Sequence, residues 1–171
     1  MKGDRVRASI QVRRARDEVF TVFTEELDAW WRRGRRYRMG DDSVMQLQPA
    51  VGGALTETVS LRGRTKVYEM GTVTVWEPPR RLVIAWRPVN FRPSDPSTEV
   101  EVTFERAIGP RGESTEVIIE HRGWSAVRPD HPVRHGQESA AFIRSMAHWW
   151  SDLGSSLRIH LVENHQDVSR D

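Results

Sequence analysis

The sequence predicts an α+β helix-grip fold, a curved antiparallel β-sheet wrapped around a long C-terminal α-helix. Three observations predict it. Short apolar-alternating segments separated by turn residues recur from Val44 to His121, the pattern of an antiparallel sheet. A short helical pattern precedes most of them, and a longer apolar stripe of helical period closes the chain. A single sheet has to cover its apolar face, and the closing helix is the long amphipathic partner for it.

Each element has its own justification. Residues 5–12 alternate with Val6, Ala8, Ile10 and Val12 on one face, as in a half-buried strand. Asp17 and Glu18 then place acids where a helix N-terminus favours them, and Val19, Phe20, Val22, Phe23, Leu27, Trp30 and Trp31 follow at helical spacing. This helix is expected to fade at Trp31-Arg32-Arg33-Gly34. A strand from Val44 is interrupted by Pro49 and Gly52-Gly53, a bulge or tight turn. Residues 55–61 and 65–76 form the next pair, joined near Arg62-Gly63-Arg64. Pro78-Pro79 ends a strand and residues 82–86 begin another. Residues 98–106 set Val100, Val102 and Phe104 against Glu99, Glu101 and Glu105, and the turn at Gly109-Pro110-Arg111-Gly112 leads into residues 115–121. Phe142, Met146, Trp149, Trp150, Leu153, Leu157 and Leu161 then define one helix from about 137 to 163. One domain over 1–164 and a polar tail over 165–171 are expected. Pro88 to Pro96 reads as a surface loop.

Composition narrows the function classes. Apolar residues are 37% of 171, so the core is economical and the seven Trp supply much of its area. The absence of Cys excludes a disulfide framework, a zinc–thiolate site and a cysteine nucleophile. No apolar stretch suits a signal peptide or a membrane span, so a cytoplasmic protein with no membrane partner is expected. A pI near 9.5 suggests nucleic acid, but the 26 basic residues are two Lys and 24 Arg, with only two Tyr. Little titrates between pH 7 and 10, so the pI reports missing groups on a chain of net charge +2. No nucleic-acid partner is expected.

Three stretches carry a family resemblance. Glu18-Val19-Phe20 through Trp30-Trp31 resembles an opening helix. Residues 71–86, with Trp76-Glu77-Pro78-Pro79-Arg80-Arg81-Leu82 at their centre, resemble a central hairpin. Residues 115–124, ending His121-Arg122-Gly123-Trp124, resemble a strand closing in a His-x-Gly-aromatic turn. Together they are similar to the bacterial proteins related to the activator of heat-shock protein 90 ATPase, in the START-like (SRPBCC) superfamily, over about 5–161. The resemblance implies a pocket between sheet and helix without implying one reaction, since members carry lipids, cyclise polyketides or assist chaperones. One departure concerns the last helix, where His148-Trp149-Trp150 stands in place of a Gly-Trp pair and bulk replaces a small residue.

Alternation sorts the candidate site residues. With Val73 and Val75 inward, Val67, Glu69 and Gly71 share their face. Leu55 and Val59 inward carry Glu57 with them, Val117 and Ile119 carry His121, and Leu82 and Ile84 carry Trp86. Glu57, Glu69, His121 and Trp86 would then line one concave surface, where a carboxylate beside an imidazole could transfer protons. A bulge at Gly52-Gly53 or Gly71 would instead reverse the parity and leave them at the rim. Phe142, Met146 and Trp149 add the helix side, with Trp149 and Trp150 about 100° apart so that one faces the pocket. His131 and His135 flank Pro132, which disfavours a helical metal pair, and no metal or cofactor is expected. Arg32-Arg33-Gly34-Arg35-Arg36-Tyr37-Arg38 reads as a solvated loop anchored by Trp30 and Trp31, with an acidic or phosphate-bearing partner as the other reading.

The expected function is binding of a small, largely apolar ligand, aromatic or lipid-like, in the cavity between sheet and helix. Its lining is Trp86, His121, Glu57, Glu69, Phe142, Met146 and Trp149, within an enclosure that also involves Trp30, Trp31, Trp124 and Trp150. Two alternatives remain: a chaperone partner acting through its surface, and a cyclase/aromatase-like enzyme using His121 or a glutamate inside the cavity. The protein is expected as a monomer or homodimer.

Overall fold

The structure is a computed structural model that describes residues 4–34 and 36–163. The predicted tail, 165–171, lies outside the described residues. The strands are β1 (Arg5–Val12), β2 (Val44–Leu47), β3 (Ala54–Leu61), β4 (Arg64–Glu77), β5 (Arg81–Trp86), β6 (Thr98–Gly109) and β7 (Gly112–Arg122). They form one antiparallel sheet in the order β1-β7-β6-β5-β4-β3-β2, curled into a half-barrel. Helix α3 (Ser139–Glu163) lies in its grip, so the α+β helix-grip architecture stands. No helix among the described residues is long and apolar enough to cross a membrane.

The opening helix is two helices, α1 (Arg16–Glu25) and α2 (Leu27–Trp30), separated at Glu26. The break lets both ends of the segment reach the core. Phe20 and Phe23 meet Phe104 at 5.1 and 5.4 Å between ring centroids, and Trp30 meets Trp31 at 5.6 Å. Thr24 satisfies its buried hydroxyl by donating to the Phe20 carbonyl at 2.9 Å.

Two irregularities in β4 decide which side chains face α3. Leu55 pairs with Gly71 but Thr56 pairs with Glu69, which leaves Met70 as an extra residue. Val73 pairs with Ile84 but Val75 pairs with Val83, which leaves Thr74 as a second. Each extra residue reverses the side-chain parity beyond it. The expectation that Val67, Glu69 and Val75 share the face of Val73 is therefore corrected. Val67 is 60% exposed, Glu69 is exposed on the outer face, and Trp76 takes the inward position against Phe20, with ring centroids 5.3 Å apart.

The two halves of α3 meet the sheet differently. Near its C-terminal end the backbone sits tightly on β1, where a β-carbon at Gly154 would lie 2.2 Å from Ile10 Cδ1. Toward its N-terminal end large side chains separate helix from sheet. Trp150 is buried there, while Met146 and Trp149 are partly exposed. That difference in stand-off places the open space at one end of the grip.

Candidate functional site

A pocket of about 500 Å³ opens where the N-terminal half of α3 diverges from β3, β4 and β5. Glu57 of β3, the extra residue Met70 of β4, and Trp86 at the end of β5 form its sheet side. Phe142, Met146 and Trp149 of α3 form the opposite side, and Trp124 and Tyr37 contribute from the connecting segments. Its rim comes from Pro88, Val89 and Asn90 before β6 and from Val133, His135 and Gln137 before α3.

Local sequence explains why these groups arrive together. Gly123 sits at φ 93°, a left-handed conformation that turns the chain directly after β7 and delivers Trp124 beneath Phe142, with ring centroids 4.8 Å apart. Trp149 is held from both sides, its indole N–H donating to the Arg36 carbonyl at 3.0 Å and its ring stacking on Tyr37 at 6.0 Å. Tyr37 O–H in turn donates to Asp152 Oδ2 at 2.6 Å, and burial together with this carboxylate pushes its phenol pKa up.

The arginine cluster is part of this wall. Arg38 is buried, which corrects the expectation that the cluster is solvated along its length. Its guanidinium donates to Asp28 Oδ1 at 2.7 Å and to the carbonyls of Asp28, Trp31 and Ser43. Burial alone would raise the Asp28 pKa, but the Met45 N–H and Arg38 outweigh it and hold the carboxyl below its ordinary value. Arg32, Arg33 and Arg36 are exposed, and Arg35 lies outside the described residues.

Of the seven residues expected to line the cavity, Trp86, Glu57, Phe142, Met146 and Trp149 surround this pocket. Glu69 does not, because the extra residue Met70 turns it to the outer face, where it accepts from Thr72 Oγ1 at 3.0 Å. His121 is inward as expected but lies beneath the pocket, fully buried against Trp86, Trp124 and Trp150. Both of its nitrogens are engaged. Trp150 Nε1 lies 3.2 Å from Nδ1, and indole can only donate, so Nδ1 accepts and Nε2–H donates to Thr98 Oγ1 at 2.8 Å. Burial lowers its pKa to about 3 and holds the imidazole neutral.

The space farther under the helix is closed. Trp31, Trp86 and Trp150 converge there with Leu55, Ile84 and Val100 around a void of only about 10 Å³. Trp31 stacks on Trp86 at 6.1 Å with 17° between planes, and Trp150 meets Trp86 edge-on at 5.9 Å. The tryptophans expected to enclose a cavity thus divide the work: Trp30, Trp31 and Trp150 fill the interior, while Trp86, Trp124 and Trp149 wall the opening. Sequence reasoning missed Tyr37 and Met70. Tyr37 sits in a stretch read for its charge, and Met70 reaches the pocket only because it is the extra residue of a bulge.

Glu57 is the polar exception in this wall. It is 1% exposed, its Oε1 accepts from the Met39 N–H at 2.7 Å, and its Oε2 has no hydrogen-bond partner among the described residues. Trp124 Nε1 is likewise buried without a partner among them.

The family model described as Activator of Hsp90 ATPase homolog 1-like protein matches residues 13–156. The chain belongs to this family. Membership sets the protein in the SRPBCC/START-like superfamily. The structure is similar to that of a Staphylococcus aureus protein of unknown function, at a TM-score of 0.61, 16% identity and coverage of 94% of this chain and 95% of that one. A Rhodobacter sphaeroides protein is similar at a TM-score of 0.61 and 20% identity, with 94% of each chain covered. A protein of the dynemicin biosynthetic locus is similar at a TM-score of 0.54 and 18% identity, over 94% of this chain and 48% of that one. At these identities the likeness carries the fold. No curated protein matches the sequence.

Proposed function

We propose that this member of the Activator of Hsp90 ATPase homolog 1-like family binds a small, largely apolar ligand in the pocket between the sheet and the N-terminal half of α3. The observation that carries the reading is the pocket of about 500 Å³, walled by Trp86, Trp149, Trp124, Phe142 and Met146 and open to solvent. Apolar walls with few polar groups are the usual composition of small-molecule sites. The Trp31, Trp86 and Trp150 cluster limits its depth, so the ligand is a compact ring system; a long acyl chain has no space beneath the helix. Trp86, Glu57, Phe142, Met146 and Trp149 are its contacts.

His121 supplies no acid–base group to this pocket, since both ring nitrogens are bonded within the core. A cyclase-like reaction would rest on Glu57 alone, without the imidazole expected beside it, and binding without chemistry is the preferred reading. A second reading rests on the family itself: the exposed Arg32, Arg33 and Arg36 could meet an acidic surface of a chaperone partner.

Titration with 2-ethylnaphthalene, followed by tryptophan fluorescence, tests the pocket. Saturable quenching is expected, and Met146→Trp should abolish it while leaving the far-ultraviolet circular dichroism unchanged. Quenching that fails to saturate, or that Met146→Trp leaves intact, rejects the reading. Native mass spectrometry against a denatured control would identify any compound that co-purifies.

A further inference from the structure

Resting on that reading of the pocket, we infer that its ligand is an amine, an aromatic body whose ammonium group pairs with Glu57 Oε2. A carboxylate buried to 1% exposure is costly unless both oxygens find partners. Oε1 is satisfied by the Met39 N–H at 2.7 Å, whereas Oε2 has no partner among the described residues, and the residue lines the pocket. The group that best relieves such an oxygen is a cation that also donates a hydrogen bond.

The protein's own cations do not fill this role. Arg38 spends its guanidinium on Asp28 and on three backbone carbonyls. Arg36 is exposed, reaching toward Asp152 at 3.9 Å and over the Tyr37 ring. His135 stands at the rim. Aromatic rings also attract cations, and Trp86, Trp149 and Tyr37 line the same space. Aromatic walls and one unpaired carboxylate oxygen together describe an aromatic amine.

Three matched probes test the inference: 2-(2-naphthyl)ethylamine, neutral 2-ethylnaphthalene and anionic 2-naphthylacetate, each titrated against the wild-type protein. The amine is expected to bind about tenfold to a hundredfold more tightly than the neutral probe. Glu57→Gln, which retains an acceptor for Met39, should erase that preference, so that the amine and the neutral probe bind the variant alike. Equal binding of amine and neutral probe, tightest binding of the anion, or a preference that survives Glu57→Gln would overturn the inference while leaving the pocket reading intact. Should none of the three bind saturably, the pocket reading and the inference fall together. The wild-type comparison decides the matter even if the variant does not fold.

Discussion

Trp150 and His121 form a donor–acceptor pair, the indole N–H pointing at the imidazole Nδ1 across 3.2 Å in a site closed to solvent. Because indole only donates, the pair fixes the histidine as the Nε2–H tautomer, and Thr98 Oγ1 receives that hydrogen at 2.8 Å. A residue type usually read as an acid–base group is here a neutral strut between β6, β7 and α3. A ¹⁵N spectrum of the histidine side chains should show this tautomer for His121 at neutral pH, and an Nδ1–H form would contradict the arrangement.

Acid should expose the same histidine as a weak point. The folded pKa is lowered to about 3, well below the ordinary value of 6.5, so between those values the unfolded chain binds the extra proton. Stability is therefore complete above pH 6.5 and declines as the pH falls, at about 1.4 kcal/mol per pH unit for one such group. Below about pH 4 the loss of paired carboxylates, Asp28 and Glu101 among them, adds to it, because both have folded pKa values below their ordinary ones. Urea denaturation at several pH values should show the slope between pH 6 and 4.5 flattened in His121→Gln. An unchanged slope would mean that some other group carries the acid sensitivity.

Removing the donor should be costly without any role in binding. Trp150→Phe leaves Nδ1 buried and unpaired and opens space beside Trp31 and Trp86, for a loss of about 2–4 kcal/mol. Equilibrium denaturation measures it. A loss below about 1 kcal/mol would mean that the site relaxes and supplies another donor.

The seat of α3 on β1 depends on Gly154. A β-carbon there would meet Ile10 Cδ1 at 2.2 Å and Cγ1 at 2.4 Å, so Gly154→Ala should destabilise by about 1–3 kcal/mol despite the helix propensity of alanine. Ile10→Ala makes room for the added methyl group. The double variant should therefore be less destabilised than the two single effects added together, a coupling that a double-mutant cycle reads directly. Strict additivity would mean that the two residues do not meet.

Asp28 holds the loop that builds the pocket wall. Asp28→Asn leaves the buried Arg38 without its counter-charge, and because the carboxylate is about one-third exposed the expected cost is about 2 kcal/mol rather than the larger figure for a fully buried pair. The loop also carries Tyr37, so affinity for 2-ethylnaphthalene should weaken in this variant. Retained stability and unchanged affinity would assign the wall to other contacts.

The helix-grip plan was legible because its signals are local. Strand alternation in 5–12 and 98–106, acids ahead of Val19, and the stripe from Phe142 to Leu161 each reflect a period that one element imposes on its own residues. The inward sense of Glu57, Trp86 and His121 followed from the same alternation. Glu69 did not follow, because Met70 adds a residue to one strand of a pair, and the pairing that creates a bulge involves residues distant in sequence.

Depth and chemistry of the pocket were tertiary decisions for the same reason. Seven tryptophans announced an aromatic interior, but whether they filled it or walled it depended on how Trp31, Trp86 and Trp150 converged from a helix-ending turn, a strand and the last helix. His121 looked like a candidate proton carrier until Trp150 and Thr98 occupied both nitrogens, and Glu57 became conspicuous only through the partner its second oxygen lacks among the described residues. Residue order sets periodicity, turns and the apolar faces of single elements. Burial, hydrogen-bond satisfaction and the space left over are properties of side chains brought together from distant positions, and they exist only once the sheet has closed on its helix.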